Sequence, residues 1–244
     1  MLIAVLTDLH ANLPAVEACL AHARKNGAQQ FVLLGDYVGY GGQPGAVVDL
    51  VAELVSAGAL AVRGNHDAAL VEADLNPDAA VSARWTATQL SAAQRAFLTG
   101  LPLTVRDGDR FYAHADASAP AKWRYVMDAD SAALSLRGCD ARLVFCGHTH
   151  NPALYASEPG GKAILFKPVS GTKIPLLRQR RWQVVLGSVG QPRNGDAAAS
   201  YALFDAKTQE IAFQRVSYDI AAAAEAILAA GLPEGLAERL YVGR

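Results

Sequence analysis

The stretch Leu2-Ile3-Ala4-Val5-Leu6-Thr7-Asp8-Leu9-His10 is where the chain's organisation first shows. An unbroken apolar run, Leu2–Thr7, is followed at once by two polar side chains, Asp8 and His10. A short continuous apolar run is typical of a strand buried on both faces, as in the parallel sheets of α/β proteins. The two polar residues stand two positions apart, a spacing at which side chains of extended backbone point the same way. We therefore expect a buried strand with a polar site at its carboxyl end.

The same alternation of apolar runs and amphipathic segments continues through the first 150 residues. The predicted strands are Leu2–Thr7, Gln30–Leu34, Leu60–Val62, Arg110–Ala113 and Arg142–Cys146. The predicted helices between them are Pro14–Asn26, Pro44–Ala57, Ala79–Phe97 and Asp130–Leu136. Strands separated by helices of this length predict βαβ units.

After His150 the pattern becomes rich in strands and turns. The predicted strands here are Ala153–Ala156, Lys162–Phe166, Trp182–Leu186, Tyr201–Phe204 and Ile211–Val216, and a terminal helix covers Ile220–Ala230. Turn-forming residues fill gaps such as Glu158–Gly161. We predict an α/β fold with two packed sheets flanked by helices. Since no linker or repeat divides the chain, we predict a single domain over residues 1–244.

Five of the six histidines follow predicted strands, together with other polar groups. These positions are Asp8 and His10, Asp36, Asn65 with His66 and Asp67, His114, and His148 with His150. The carboxyl ends of parallel strands line one edge of a sheet, where ligands bind. The sixth histidine, His22, lies within a predicted helix and is expected to be a surface residue.

Imidazole and carboxylate side chains brought together in this way indicate a divalent metal site. Imidazole suits Zn, Fe, Ni and Cu, whereas oxygen ligands suit Mg and Mn. The candidate ligands are Asp8, His10, Asp36, Asn65, His114, His148 and His150. Seven ligands are too many for one tetrahedral ion and favour two ions that share a bridging carboxylate. Each motif taken alone is also compatible with an ordinary turn or a satisfied histidine; their coincidence at successive strand ends is what favours a metal centre.

Net charge, pI and cysteine content indicate which partners and which cellular location to expect. A net charge of −1 with a pI near 6.6 argues against nucleic acid and against an anionic membrane surface. Three cysteines without a Cys-x-x-Cys pair favour reduced thiols and a cytoplasmic location. The first residues lack the basic region of a signal peptide, and no apolar run reaches membrane-spanning length. A homodimer, the commonest oligomer, is the expected assembly.

In order and spacing, the motifs Asp-x-His, Gly-Asp, Gly-Asn-His-Asp, His and Gly-His-x-His over residues 8–150 resemble the calcineurin-like metallophosphoesterase superfamily. The segment from Gly187 to Asp205 is similar to its small bacterial and archaeal phosphodiesterase-like branch. The resemblance implies a four-layer αββα sandwich. It also implies a first metal held by Asp8, His10, Asp36 and His150, and a second held by Asp36, Asn65, His114 and His148.

The resemblance further implies that His66 protonates the leaving oxygen and that Asp67 orients His66. Two divalent ions (Mn, Fe, Zn, Ni or Co, with Mn expected to support activity in vitro) would activate a bridging hydroxide for attack on a phosphodiester or a small phosphomonoester. Ser188, in the loop 187–190, and Arg193 are the candidate phosphate contacts.

The sequence departs from the protein phosphatases of that superfamily, since Gly39-Tyr40 stands where they carry a phosphate-gripping arginine. A small-molecule phosphate ester is therefore the expected substrate. Asp116 adds a carboxylate after His114, and residues 68–100 and 116–138 are candidate cap segments that select the leaving group. Two other functions stay open, a catalytically silent metal-binding scaffold of the same fold and a nuclease. The complete ligand set argues against the scaffold, and the acidic pI argues against the nuclease.

Overall fold

The computed structural model describes residues 1–70, 77–157 and 162–244. Twelve strands lie in this part of the chain: β1 (Leu2–Leu6), β2 (Gln30–Leu33), β3 (Leu60–Ala61), β4 (Thr104–Asp107), β5 (Arg110–Ala113), β6 (Leu143–Cys146), β7 (Ala153–Ser157), β8 (Ala163–Phe166), β9 (Lys173–Pro175), β10 (Arg181–Val185), β11 (Ala199–Asp205) and β12 (Glu210–Val216). The described helices are α1 (Leu13–Lys25), α2 (Pro44–Ser56), α3 (Asn65–Ala68), α4 (Pro77–Gln89), α5 (Ala92–Gly100), α6 (Ala129–Arg137), α7 (Ile220–Ala229) and α8 (Glu234–Val242).

The strands form two six-stranded sheets, in the orders β3-β2-β1-β11-β12-β9 and β4-β5-β6-β10-β7-β8. Both are mixed. In the first, β1, β2 and β3 are parallel and β11 runs antiparallel to β1. In the second, β5, β6 and β10 are parallel and β4, β7 and β8 run against their neighbours. Strands from after His150 therefore enter both sheets instead of forming a separate β-rich region.

The strand β1 shows why the two sheets pack face to face between helices. Side chains alternate across a strand. Ile3 and Val5 accordingly join the core between the two sheets, with Phe145 and Phe204 as large members. Ala4 and Leu6 point the other way, into a second core shared with α1 and α2. On the far side of the second sheet, Ala132 of α6 packs against it. The predicted four-layer sandwich of two mixed sheets flanked by helices is confirmed.

One predicted helix is in fact two separate helices, α4 and α5. The segment predicted as a helix over Ala79–Phe97 is broken between α4 and α5, because Ser91 caps α5. Its hydroxyl accepts a hydrogen bond from the N–H of Gln94 (3.2 Å), and the Gln94 amide oxygen accepts one from the Ser91 N–H (2.9 Å). This reciprocal pair is a capping box, which starts a new helix. Residues 71–76 of the candidate cap segment 68–100, and the predicted turn 158–161, lie outside the described residues.

Four further elements were not predicted: the edge strands β4 and β9, and the short helices α3 and α8. Three of them, β4, β9 and α3, are short and carry little apolar periodicity, whereas α8 buries Leu236, Ala237 and Leu240 at helical spacing. Among the described residues no helix has the length and apolar character of a membrane span.

Candidate metal centre

The predicted ligands do lie at the carboxyl ends of the parallel strands, where the two sheets meet. Backbone hydrogen bonds continue the pairing beyond the strands and hold these loops together. The N–H of Asp8 donates to the carbonyl of Gly35 (3.0 Å), and the N–H of His10 donates to that of Asp36 (2.9 Å). From the second sheet, the backbone N–H of His148 donates to the Asp8 carboxylate (3.0 Å). Loops far apart in sequence thus form one buried cluster.

The backbone at this cluster adopts a conformation that non-glycine residues rarely take. Five of the seven predicted ligands have a positive φ between 47° and 68°: Asp8, His10, Asp36, His148 and His150. Left-handed backbone costs roughly 1–2 kcal/mol per non-glycine residue, and such strain gathers at functional sites. Gly64 and Gly147 pack so tightly here that a β-carbon on either would overlap the Asp36 or the Asp8 carboxylate. The two glycines therefore allow the backbone to approach these carboxylates closely.

The first group of ligands consists of Asp8, His10 and His150, all buried. The Nε2 atoms of the two imidazoles lie 3.1 Å apart, and that of His150 lies 3.3 Å from Oδ1 of Asp8. The other ring nitrogens are 3.1 Å and 2.6 Å from the carbonyl oxygens of Val38 and Gln191 respectively. A carbonyl only accepts, so each Nδ1 carries the proton and each Nε2 presents a lone pair to the other.

The second group consists of Asp36, His114, His148 and Asn65. The Nε2 of His114 lies 3.1 Å from Nδ1 of His148, 3.0 Å from Oδ1 of Asn65 and 3.3 Å from Oδ2 of Asp36. The Nδ1 of His114 donates to the carbonyl of Leu34 (2.8 Å), so the Nε2 atom is the one that faces the cluster.

Asp36 joins the two groups. Its Oδ2 lies 3.9 Å from Nε2 of His10 as well as 3.3 Å from that of His114, while its Oδ1 accepts the backbone N–H of His66 (2.8 Å). One oxygen of a single carboxylate therefore faces both sets of imidazoles. This is the place that the family resemblance implies for a bridging ligand.

These residues fit divalent cations. Lone pairs facing each other at 3.1 Å repel unless a cation or a proton lies between them, and Oδ1 of Asp8 is a buried anionic oxygen without a hydrogen-bond partner. The donors are imidazole nitrogens and carboxylate or amide oxygens, which suit transition metals of borderline hardness. The donor set thus supplies what two divalent ions require.

The pKa values of the buried groups follow from the same arrangement. Burial raises the pKa of Asp36, but the charge of His114 outweighs it and holds that pKa well below the usual range. Burial lowers the pKa of His114, but the Asp36 carboxylate more than compensates and raises it to about 9. Burial, followed by repulsion from His114, lowers the pKa of His148 to about 3. Burial also lowers the pKa of His10 well below its usual value. Three of these groups are therefore already in the form that a metal needs.

The His66 ring lies beside the cluster, and only the backbone N–H of His66 bonds to a ligand, Asp36. Its ring lies 5.0 Å from that of His10 and 4.6 Å from that of Tyr40, between centroids, and Gly39 packs against it. Its Nδ1 is buried and has no hydrogen-bond partner. Its side chain is also within ligand distance of His10 and Asp36. The contact between Tyr40 and His66 was not predicted, because the sequence shows only that an aromatic residue follows Gly39.

Asp67, expected to orient His66, uses both of its carboxylate oxygens to accept backbone N–H groups. One carboxylate oxygen accepts the backbone N–H groups of Gly64 and Asp36, both at 2.8 Å. The other accepts those of Tyr37 (2.9 Å) and Val38 (3.4 Å). Burial and then the charge of Asp36 raise the pKa of Asp67 to about 7, against the effect of these donors. Asp67 fixes the backbone that carries Asp36.

Ser188 is not placed to contact a phosphate, which corrects the expectation for the loop 187–190. Its buried hydroxyl donates to the carbonyl of Asp8 (2.8 Å) and accepts the N–H of Gln191 (2.8 Å). The N–H groups of Val189 and Gly190 donate to the carbonyls of Thr7 and Asp8. This loop therefore supports the first ligand loop from behind, because all these groups are already engaged.

Arg193 lies at the rim of the cluster. Its guanidinium donates to the side-chain oxygen of Gln191 (2.8 Å) and lies 5.5 Å from the centroid of the Tyr40 ring. Asp116 is buried and accepts hydrogen bonds from the N–H and hydroxyl of Ser118, so it organises its own loop. His22, expected on the surface, is half-buried and bonds the hydroxyl of Tyr201 at 2.8 Å, away from the cluster.

Comparison with known proteins agrees with this geometry. A family model described as the calcineurin-like phosphoesterase superfamily domain matches residues 1–209. An uncharacterised protein of Methanocaldococcus jannaschii is 35% identical over 251 residues, which cover 100% of this chain and 98% of that protein. The crystal structure of a metallophosphoesterase from Sphaerobacter thermophilus is 38% identical, with a TM-score of 0.89 over 100% of both chains.

A hypothetical protein from Pyrococcus horikoshii shares the fold at 21% identity, with a TM-score of 0.81 over 100% of this chain and 98% of that one. These relatives are bacterial and archaeal. The matched region contains every predicted ligand, and the match over residues 1–209 covers most of the chain. The chain therefore belongs to the calcineurin-like phosphoesterase superfamily.

Proposed function

We propose that this protein is a phosphoesterase that uses two divalent metal ions to hydrolyse phosphodiesters or small-molecule phosphomonoesters. The observation that carries the proposal is the position of Asp36, whose Oδ2 faces both imidazole groups. A shared carboxylate of this kind is what a dinuclear centre requires, and a single closed structural ion does not need it. The related Sphaerobacter thermophilus structure is described as a metallophosphoesterase.

The proposed first site comprises Asp8, His10, Asp36 and His150, and the second comprises Asp36, Asn65, His114 and His148. When bound, two such ions neutralise the phosphoryl oxygens and activate a water for attack. Manganese is the ion we expect to support activity in vitro, with Fe, Zn, Ni and Co as the other candidates. The chain's own part is to fix the donors, which it does through the Nδ1–H bonds to the carbonyls of Val38, Leu34 and Gln191.

His66 is the proposed general acid for the leaving oxygen. Its ring is buried next to the ligands, yet its Nδ1 has no protein partner. Burial lowers its pKa, and a bound phosphate anion beside it would raise that pKa again. Arg193, at the rim, is the proposed phosphate contact. Its charge is available to an anion because it contacts the neutral Gln191 amide and the Tyr40 ring.

The test is hydrolysis of bis-p-nitrophenyl phosphate and p-nitrophenyl phosphate by the purified protein with added Mn²⁺, followed by chelation. We expect turnover that chelation abolishes, together with about two bound ions per chain by elemental analysis, as a dinuclear centre requires. Asp36→Asn should lower both ion content and turnover, whereas His22→Ala, a histidine away from the cluster, should change neither. Absence of turnover with Mn, Fe, Co, Ni and Zn would favour the silent scaffold instead.

The variant His66→Ala tests whether His66 acts as the general acid or as a metal ligand. We expect it to bind both ions and to lose most activity toward esters with poor leaving groups, which need protonation, while p-nitrophenyl esters suffer less. Loss of an ion on this substitution would make His66 a ligand.

A further inference from the structure

A cavity of about 430 Å³ opens next to the second ligand group. Thr149, which lies between His148 and His150 in the chain, lines it, and so does Arg193. Tyr125 forms another part of the wall and stacks on the imidazole of His148, with centroids 4.2 Å apart and planes at 10°. A ligand whose phosphate lies at the ligand cluster can therefore extend into this cavity. Its volume falls within the range of roughly 300–1,000 Å³ typical of pockets for organic ligands.

The lining is aromatic and apolar with few charges. Val126, Met127, Pro152 and Ala153 contribute apolar surface, and Arg193 is the one charged side chain among the described lining residues. The absence of a carboxylate from that described lining gives a cationic group nothing to pair with. A neutral organic group attached to a phosphate anion matches this distribution of charge.

Tyr125 offers a planar surface. One face of its ring is covered by His148, and the side chain is half exposed, so the free face and edge border the cavity. Aromatic groups in offset or edge-to-face contact with such a ring gain about 0.5–1.5 kcal/mol beyond the area they bury. A flat ring system is the shape that this wall favours.

Tyr155 adds a hydrogen-bonding group. The residue is only 1% exposed, and its ring packs in the cluster with Val126 and Ala132. The residue also lines the cavity, so its hydroxyl is a group that a bound molecule can meet there. A buried tyrosine hydroxyl normally finds a partner. A polar atom on the bound group would supply that partner.

The loop that carries this wall is held in a strained conformation. Trp123 has a φ of +50°, rare for a bulky residue, and its ring lies 5.9 Å from that of His114. Asp116 anchors the loop through its N–H bond to the carbonyl of Arg124 (3.2 Å) and through an ion pair with the Arg124 guanidinium (3.8 Å). Strain of this kind persists where the surroundings enforce it, at sites that bind or react.

We propose that this cavity binds a planar heteroaromatic group of the phosphate ester, such as a nucleoside base, with Tyr125 as the stacking surface and the Tyr155 hydroxyl as the polar contact. This inference rests on the proposed phosphoesterase function and names the substrate class of that same site. Thr149 and Asn151 add further polar groups to the lining.

The test compares two diesters with the same leaving group, thymidine 5′-(p-nitrophenyl phosphate) and methyl p-nitrophenyl phosphate, with the Mn-loaded protein. We expect kcat/KM to be at least about tenfold higher for the thymidine ester, equivalent to roughly 1.4 kcal/mol of added binding. Tyr155→Phe should reduce this preference about fivefold, the effect of one hydrogen bond. Tyr241→Phe, the same change at a tyrosine exposed on α8, is the matched control and should leave the preference unchanged.

A second measurement detects binding directly and does not depend on hydrolysis. Saturation-transfer NMR with thymidine and the metal-free protein should show transfer to the base protons, weaker in Tyr155→Phe than in Tyr241→Phe. Equal kcat/KM values for the two esters, or no transfer to the base, would overturn the inference. If neither ester is hydrolysed, the proposed function fails, and thymidine contact with the metal-free protein still decides the binding group.

Discussion

Asp67→Asn tests whether Asp67 holds the backbone or orients His66. The two carboxylate oxygens accept four backbone N–H groups at 2.8–3.4 Å, from Gly64, Asp36, Tyr37 and Val38. An asparagine has the same shape but only one acceptor oxygen. Whichever way the amide turns, its NH₂ faces N–H donors that have lost their acceptor.

The cost follows from this count. The amide keeps most bonds when its oxygen faces Gly64 and Asp36 and its NH₂ faces Tyr37. The change then removes a charge-assisted hydrogen bond, about 1.5–3 kcal/mol, and leaves a buried donor unsatisfied, about 1–3 kcal/mol. Removing the buried charge beside Asp36, which raises the pKa of Asp67, offsets the first of these terms, so we expect roughly 1–3 kcal/mol of lost unfolding free energy from the unsatisfied donor.

The assay is urea denaturation of the metal-free protein at pH 8, above the pKa of Asp67 of about 7, so that the carboxylate is ionised. Elemental analysis of the Mn-loaded variant should show a reduced ion content, because the backbone of the shared ligand Asp36 is no longer fixed. Asp116→Asn is the matched control. It is also a buried aspartate, but one of its donors is the Ser118 hydroxyl, which can turn to accept from the new NH₂.

One result would refute this reasoning. If Asp67→Asn kept its denaturation midpoint and both ions, and lost activity only toward esters with poor leaving groups, Asp67 would be acting on His66 and not on the backbone.

Three other predictions concern proton release on metal binding, steric crowding of the His66 ring and the cap of α5. Since Asp36 raises the pKa of His114 to about 9, metal binding at pH 7 should displace a proton, and apparent Mn²⁺ affinity should fall as the pH drops below 9, measured by calorimetry in buffers of different ionisation enthalpy. Gly39→Ala would place a β-carbon 2.5 Å from Nδ1 of His66 at a φ of +87° and should lower turnover with the ions retained. Ser91→Ala removes the capping box of α5 and should cost about 1 kcal/mol in urea denaturation without changing kcat/KM.

Each has an outcome that would contradict it. Identical binding enthalpies in all buffers would mean that His114 is neutral before the metal arrives. Loss of ions in Gly39→Ala would show that the site backbone moves and not the His66 ring alone. An unchanged urea midpoint for Ser91→Ala would mean that α4 and α5 are separated by packing and not by the Ser91 cap.

Much of the fold is encoded locally. The predicted strand Arg110–Ala113 matches β5, and Leu2–Thr7 exceeds β1 by one residue, because a buried strand needs a continuous apolar run that polar residues end. The helix predicted over Ala79–Phe97 was wrong at Ser91, whose capping bonds compete with helix continuation. The order of strands in the two sheets was not predicted, since pairing such as β1 with β11 joins residues about 200 positions apart.

For the candidate metal centre, too, some features followed from the sequence and others only from the tertiary structure. Which side chains cluster followed from the sequence alone: polar residues interrupt the apolar pattern where strands end, and parallel strands bring those ends together. Only the tertiary structure showed that Asp67 and Ser188 bond to backbone groups, that Tyr125 stacks on His148, and that Tyr155 lines a cavity. Hydrogen bonds and ring contacts of this kind connect loops distant in sequence and leave no periodic signal. The sequence thus determined the donors of the proposed metal centre, and the folded chain determined how they are held and what lies beside them.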